Sequence, residues 1–208
     1  MKTEKAILLF AQRIRAISQN GLHYALSNYD TERYTELLEI SDALVSCVSG
    51  LDKETIQSLF LPMKEYITPK VDIRAVVFND KEEILLVREK ADGLWSLPGG
   101  WADVGCSPSE VAVKEVKEET GLEVQAERLL AVMDMRKHAH PPIPFYVYKF
   151  FILCRIGGGV FTEVFDILDK GFFPLNDLPP LSLERILPDQ IRLVDEYRRD
   201  PAKGVYLD

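Results

Sequence analysis

Cysteine is scarce and scattered in this 208-residue chain: Cys47, Cys106 and Cys154 stand far apart, with no CxxC among them. An odd count at wide spacing supports neither a disulfide framework nor a structural zinc site, and points to a reducing, cytoplasmic setting. Long hydrophobic runs are also missing, and no apolar stretch approaches the roughly 20 residues that cross a bilayer. The segment AILLFAQ (6–12) follows two lysines in the manner of a leader peptide, but Gln12 and Arg13 cut it off and no small-residue cleavage site follows. We therefore expect no targeting segment and no membrane partner. Positive charge is in deficit, with 25 Lys and Arg against 33 Asp and Glu and a net charge of −8. That balance disfavours nucleic acid as a partner, although a local basic groove remains compatible with it. Repeats and low-complexity tracts are absent, and 47% apolar with 28% charged residues is a globular composition.

The pattern changes at Pro69. Before it the chain reads as helical. Ile7, Phe10, Ile14 and Ile17 recur at helical spacing, with Gly21 as the expected end. Asn28-Tyr29-Asp30 offers a cap with Glu32 in the first turn, and Tyr34, Leu37, Leu38, Leu44 and Val48 form the apolar face of a second helix. A third, short helix is expected after Asp52, broken near Pro62. So small a helical region cannot build a large core alone, which predicts packing on the rest of the chain or on a second copy; a C2 homodimer is the expectation. After Pro69, residues 71–78 and 84–88 are rich in Val and Ile and flank Asn79-Asp80-Lys81, which predicts a hairpin. Leu97-Pro98-Gly99-Gly100 follows. A helix then opens at Ser107-Pro108-Ser109-Glu110, a capping box with proline at the first position, and closes at Gly121. Strands are expected near 123–135 and 145–156, a break at Gly157-Gly158-Gly159, a short strand near 171–174, and a last helix from Pro188 to Arg199. The resulting expectation is an α/β (α+β) protein. A mixed sheet sandwiched between helices occupies residues 67–208, preceded by a small helical domain over 1–66.

Within the capped helix, Glu115, Glu118 and Glu119 stand at i, i+3 and i+4 and share one face, at about 100° per residue. Val113 and Val116 point elsewhere and can seat the helix on the sheet. Taken alone, KEVKEE is a solvated helix end with lysine pairs. The Pro-Gly-Gly loop before it changes that view, because Gly99 or Gly100 lets backbone come close to a metal or a phosphate. Three carboxylates on one face repel, and a divalent cation reverses the sign; hard oxygen donors suit Mg²⁺ or Mn²⁺.

The stretch resembles the Nudix box. Gly100, five residues, Cys106, seven residues and then Lys114-Glu115-Val116-Lys117-Glu118-Glu119-Thr120-Gly121-Leu122 follow that family's spacing. The family's pattern is Gly, five residues, Glu, seven residues, then Arg-Glu-aliphatic-x-Glu-Glu-x-Gly-aliphatic. Two positions depart from it: Cys106 replaces a Glu that helps hold the loop against the helix, and Lys114 replaces an Arg that helps orient the carboxylates. Lysine keeps the charge without the planar fork. Cys106 is expected as a small buried side chain.

The resemblance implies that Glu115 and Glu119 are metal ligands, that Glu118 joins them or assists through a water, and that the Gly99 carbonyl is a further ligand. It also implies a late acid before an aromatic strand. Asp166, ahead of Gly171-Phe172-Phe173, is the first choice, with Glu163 and Asp169 as competitors. Residues 14–22, Tyr29-Asp30 with Arg33-Tyr34, 100–105 and 178–182 are similar to a subgroup with a helical extension that hydrolyses nucleoside diphosphates linked to another moiety, such as CDP-choline or ADP-ribose. The implied reaction is metal-dependent cleavage of a small-molecule nucleotide's pyrophosphate, with Glu115 a candidate to accept the proton. For such a substrate, Trp95, Trp101, Tyr146 and Tyr148 are candidate walls, although strand alternation should bury one of the two tyrosines. Arg136, His138 and His140 are candidates to meet phosphate or base. A nucleotide-sensing module without strong activity and an RNA-processing enzyme are the alternatives.

Overall fold

A computed structural model describes residues 2–59, 67–103 and 105–208. The described residues form two compact units, one from 1–69 with 142–146, the other from 70–141 with 147–208.

The first unit contains helices α1 (Lys2–Tyr24), α2 (Asn28–Ser49) and α3 (Lys53–Leu59). Helix α1 does not stop at Gly21. A Cβ there would lie 2.4 Å from the Tyr34 ring, so this glycine is a packing contact inside the helix and not its end. The cap of α2 is Ser27, one residue before the expected Asn28-Tyr29-Asp30; its hydroxyl accepts the Asp30 N–H at 3.1 Å. Gly50, at φ 71°, ends α2 in the left-handed region. The expected apolar faces are also corrected. Leu8, Ala11, Arg15 and Ser18 are buried, while Phe10 and Ile17 are 56% and 58% exposed. In α2 the buried residues are Ser41, Asp42 and Val45. Small residues explain this: Ser41 donates its hydroxyl to the Ala11 carbonyl at 2.9 Å, which draws the two backbones together. The Arg15–Asp42 ion pair then satisfies the charges that this close approach buries. The Gln12 side-chain amide fastens the 142–146 segment, donating to the carbonyls of Ile143 (2.9 Å) and Phe145 (3.2 Å). Pro62 lies outside the described residues.

The second unit contains strands β1 (Lys70–Val77), β2 (Ile84–Glu89), β3 (Trp95–Ser96) and β4 (Gly99–Trp101), helix α4 (Pro108–Thr120), strands β5 (Leu122–Asp134), β6 (Val147–Gly159) and β7 (Ile167–Phe173), helix α5 (Pro188–Arg199) and strand β8 (Tyr206–Leu207). They build a mixed five-stranded sheet, β4-β1-β6-β5-β8, and an antiparallel three-stranded sheet, β3-β2-β7. The expected hairpin is only half right. Asn79 does organise a tight turn, its side-chain oxygen accepting from Lys81 N and Glu83 N at 3.0 Å each. The two strands then diverge into different sheets, β1 beside β6 and β2 beside β7, because both are buried on two faces and find longer partners elsewhere. The triple glycine does not break β6, which runs through it to pair Gly159 with Leu122. Strand β7 begins at Ile167, so Asp169 lies inside it.

Alternation along β1 sets the layers. Ile73, Ala75 and Val77 pack against Val111, Ala112 and Val116 of α4. Val76 belongs to a second cluster with Ile84 and Leu86 of β2, Met133 of β5, and Ile191 and Val194 of α5. The architecture is thus the expected mixed sheet with helices on its faces, alongside a helical N-terminal region. No helix among the described residues is long and apolar enough to cross a membrane.

Helix α4 is fixed at its start by a reciprocal cap. The Ser107 hydroxyl accepts the Glu110 N–H at 3.3 Å, and the Glu110 carboxylate accepts the Ser107 N–H at 2.7 Å. Ser107→Ala should lower unfolding free energy by about 1 kcal/mol in urea titration, leaving the m-value unchanged.

Candidate active site

The far end of α4 is held as firmly as its start. Gly121, at φ 85°, donates its N–H to the Lys117 carbonyl, and the Lys170 ammonium reaches the Glu119 carbonyl at 3.3 Å. A rigid helix thereby aims Glu115 and Glu119 at the Gly99-Gly100 segment of β4. The Glu119 carboxylate accepts the Gly99 N–H at 3.1 Å. The Glu115 carboxylate is so close to Gly100 that a Cβ there would lie 3.3 Å from its Oε1. Gly99 itself sits at φ +147°, where a Cβ would lie 2.0 Å from the Ile73 carbonyl oxygen, so only glycine fits. The predicted acidic face therefore splits. Residues i and i+4 converge on the glycines, whereas Glu118 is exposed, 3.7 Å from Lys114. Lys114 also bonds Asp103 at 2.8 Å.

Burial sets the electrostatics. It pushes the Glu119 carboxyl up to about 8, a rise that the Arg74 guanidinium opposes and the neighbouring Glu115 charge reinforces. Burial also raises Glu115, with Lys114 pulling it back down and Glu118 pushing it further up. Two carboxylates that resist ionisation side by side make a hard-oxygen site that a divalent cation would relieve. Among the described residues no group of three or more His, Cys, Asp or Glu side chains is arranged to enclose a metal. A pair of carboxylates beside open backbone still suits Mg²⁺, which keeps several waters and takes few protein ligands. The residues present fit such an ion.

The other predicted residues are dispersed. Trp95 is 9% exposed and packs edge-on against Phe173 at 4.7 Å, so it belongs to the core and not to a substrate wall. Trp101 is 49% exposed, with the Lys70 ammonium 5.2 Å above its ring. Asp166 and Glu163 are exposed ahead of β7. Asp169, within β7, turns its carboxylate onto the Lys170 N–H at 2.8 Å. Arg136 lies 3.5 Å from Asp134. The His138 ring sits 3.1 Å from both Asp208 carboxylate oxygens, engaged by the last residue of the sequence. His140 is buried, not in an exposed loop. One ring nitrogen lies 2.7 Å from the Leu183 carbonyl, and burial depresses its pKa to about 4. Neither tyrosine is buried: Tyr146 is half-exposed and Tyr148 exposed, and the inward positions of β6 are Val147, Lys149 and Phe151. Cys106 is exposed, whereas Cys154 is buried and its thiol pushed up to about 12.

Sequence reasoning missed a buried charged triad. Asp72 and Arg74, two apart on β1, face the same way, and Lys149 stands opposite Asp72 across the β1–β6 register. The signal was present: charged residues interrupt VDIRAVV and YVYKFF, runs otherwise apolar enough to be buried.

Comparison with known proteins decides the family. Residues 68–197 match the NUDIX domain. The chain belongs to the Nudix hydrolases. Residues 5–60 of this Nudix hydrolase match a second domain, described as a UDP-X-like, N-terminal oligomerisation domain. A Bacillus subtilis (strain 168) protein named "Putative ADP-ribose pyrophosphatase YjhB" is 45% identical over 208 residues, all of both chains. The crystal structure of a UDP-X diphosphatase aligns over 99% of each chain, at 36% identity and a TM-score of 0.64. An ADP-ribose pyrophosphatase structure from Streptococcus suis 89-1591 covers 68% of this Nudix hydrolase and all of its own chain, at 47% identity and a TM-score of 0.62.

Because the Glu119 pKa is raised from 4.5 to about 8, the folded state holds a proton that the unfolded chain releases, and stability falls as pH rises between those values. Glu119→Gln should remove that slope. In EDTA the variant should gain roughly 1–3 kcal/mol over the parent at pH 8 and little at pH 4.5, after allowance for solvent screening. Urea unfolding at the two pH values measures the difference, and an equal gain at both would contradict the electrostatic assignment.

Proposed function

We propose that this Nudix hydrolase cleaves the pyrophosphate of a nucleoside diphosphate linked to a second group, using Mg²⁺ or Mn²⁺, and releases a nucleoside monophosphate and a phosphorylated remainder. One observation carries the proposal: Glu115 and Glu119 converge on the Gly99-Gly100 backbone, where Gly99 leaves room for no side chain and Gly100 lies close against the Glu115 carboxylate. Glu115 and Glu119 would hold the cation with the Gly99 carbonyl, and Asp166 is the proposed late ligand. A bound divalent ion supplies charge neutralisation of the phosphates and an acidified water.

The chain's own groups do the rest. The Gly99 N–H fixes the orientation of Glu119. Glu115, half-buried and raised in pKa, would be the candidate to take the proton of the attacking water. Glu118, exposed, assists through solvent. Trp101 offers a partly exposed ring to the base, and Arg136 a guanidinium to a phosphate. The names of the relatives support ADP-ribose ahead of CDP-choline, and the UDP-X likeness widens the nucleobase to uracil. Two free exposed cysteines, Cys47 and Cys106, support a reducing cytoplasm.

Incubation with ADP-ribose, CDP-choline and UDP-sugars in Mg²⁺ or Mn²⁺ should release the nucleoside monophosphate from at least one of them and none in EDTA. Glu115→Gln and Glu119→Gln should each lower kcat at least a thousandfold in protein with a normal circular dichroism spectrum. Near-parental turnover in either would end the assignment.

We further propose that residues 1–66 are the dimerisation module and 67–208 the hydrolase. Phe10, Ile17 and Tyr24 recur every seven residues along α1 and all are exposed, an apolar stripe with the repeat of a helix-pairing seam. Ile17→Glu should convert a dimer to a monomer in sedimentation velocity at micromolar concentration.

A further inference from the structure

Two positions of the family's pattern are altered here. Lys114 directs its ammonium to Asp103 and Glu118. Cys106 is exposed and brings no carboxylate. The Leu97-Pro98-Gly99-Gly100 segment is nevertheless held firmly, and the hold comes from β1. The Ala75 N–H donates to the Pro98 carbonyl at 2.8 Å, and one arm of the Arg74 guanidinium donates to the Leu97 carbonyl at 3.0 Å.

Arg74 is built for this. It is 5% exposed, and its Nε lies 3.0 and 3.1 Å from the two carboxylate oxygens of Asp72. That fork-on-carboxylate contact fixes the guanidinium plane and so the direction of the remaining arm. Lys149 shares the same carboxylate and is also buried, hydrogen-bonded and ion-paired to Asp72. The charge of Arg74 also acts on Glu119 and Glu89. A guanidinium that merely neutralised Asp72 would have no need to reach Leu97, because Lys149 already faces that carboxylate.

We propose that Arg74 is a positioning residue of this site: anchored by Asp72, it holds the Leu97 carbonyl and thereby sets the Gly99 N–H against the Glu119 carboxylate. The inference rests on the assignment of Glu115 and Glu119 as cation ligands.

Arg74→Lys keeps a charge near Asp72 but cannot bond Asp72 and Leu97 in the same plane. Lys149→Met removes the other cation and leaves the Leu97 contact alone. Binding of Mn²⁺ alone, followed by the free-ion electron paramagnetic resonance signal, reads the site without turnover. Arg74→Lys should weaken Mn²⁺ binding at least fivefold and lower kcat at least tenfold with KM within twofold, while Lys149→Met stays within twofold of the parent on all three. Parental Mn²⁺ affinity and kcat in folded Arg74→Lys, or equal losses in both variants, would overturn the positioning role. If Arg74→Lys does not fold, the triple change Asp72→Asn, Arg74→Gln, Lys149→Met removes all three triad charges together and takes its place: tenfold loss of kcat supports the role and parental kcat refutes it. A parent protein that binds no Mn²⁺ would instead overturn the ligand assignment on which the inference stands.

Discussion

The structure turns on one contact that would be unfavourable in isolation: two glutamates a helical turn apart pressed against a backbone with no side chain to screen them. Glu115 and Glu119 repel each other, and burial raises both above the ordinary carboxylate range. A free helix end would fray or rotate to separate them. Here it cannot. The Ser107 cap fixes the first turn, Gly121 and Lys170 fix the last, and Val111, Ala112 and Val116 seat the helix against Ile73, Ala75 and Val77. The packing that stabilises the second unit thus also holds an electrostatic tension in place, which is the condition for cation binding to gain more than it would from flexible carboxylates.

The same distinction governs what the sequence revealed. Helix α4 was legible from cap to cap because its signals are local: a serine and a glutamate three apart, a proline at the first turn, a glycine after the last; α5 shares the proline. The tertiary partner of a strand is not local. Asn79 forms its turn as expected, yet β1 and β2 join different sheets, a choice made by residues 77 or more positions away. In α1, two sets of residues had helical spacing, and hydrophobicity favoured the wrong one. The interface with α2 is chosen by Ala11 and Ser41, small enough for close approach, with Arg15 and Asp42 pairing inside it. Trp95 was misplaced for a related reason. A large aromatic near a glycine loop is as readily a core residue, and its ring neighbour, Phe173, comes from β7 on the other side of β2.

The acidic motif was legible as a pattern, but its division of labour was not. Helical geometry puts Glu115, Glu118 and Glu119 on one face; only the position of β4 separates the two that meet backbone from the one that meets solvent. The late acid is the least determined by pattern. Asp166, Glu163 and Asp169 have similar local sequence, and Asp169 is set apart by lying within β7, where its carboxylate turns to its own strand's amide.

Behind the acidic site lies charge of the opposite sign. Burial pulls the Asp72 carboxyl up, but Arg74 and then Lys149 outweigh it and hold it below the usual range. Burial depresses Lys149 to about 8, so of the two cations on that carboxylate the lysine is the one that yields its proton first. Arg74 keeps its charge and is left as the permanent buried cation closest in effect to Glu119. Its attraction lowers the cost of ionising Glu119 without cancelling it, since the carboxyl is still raised to about 8. A stronger pairing would have made a finished salt bridge with no remaining affinity for a divalent ion. A weaker one would have pushed the carboxyl higher still and made its proton harder for a cation to displace. The observed balance, a guanidinium near enough to act on Glu119 but hydrogen-bonded to Asp72 and Leu97 instead, keeps an acid that a cation can deprotonate and then hold.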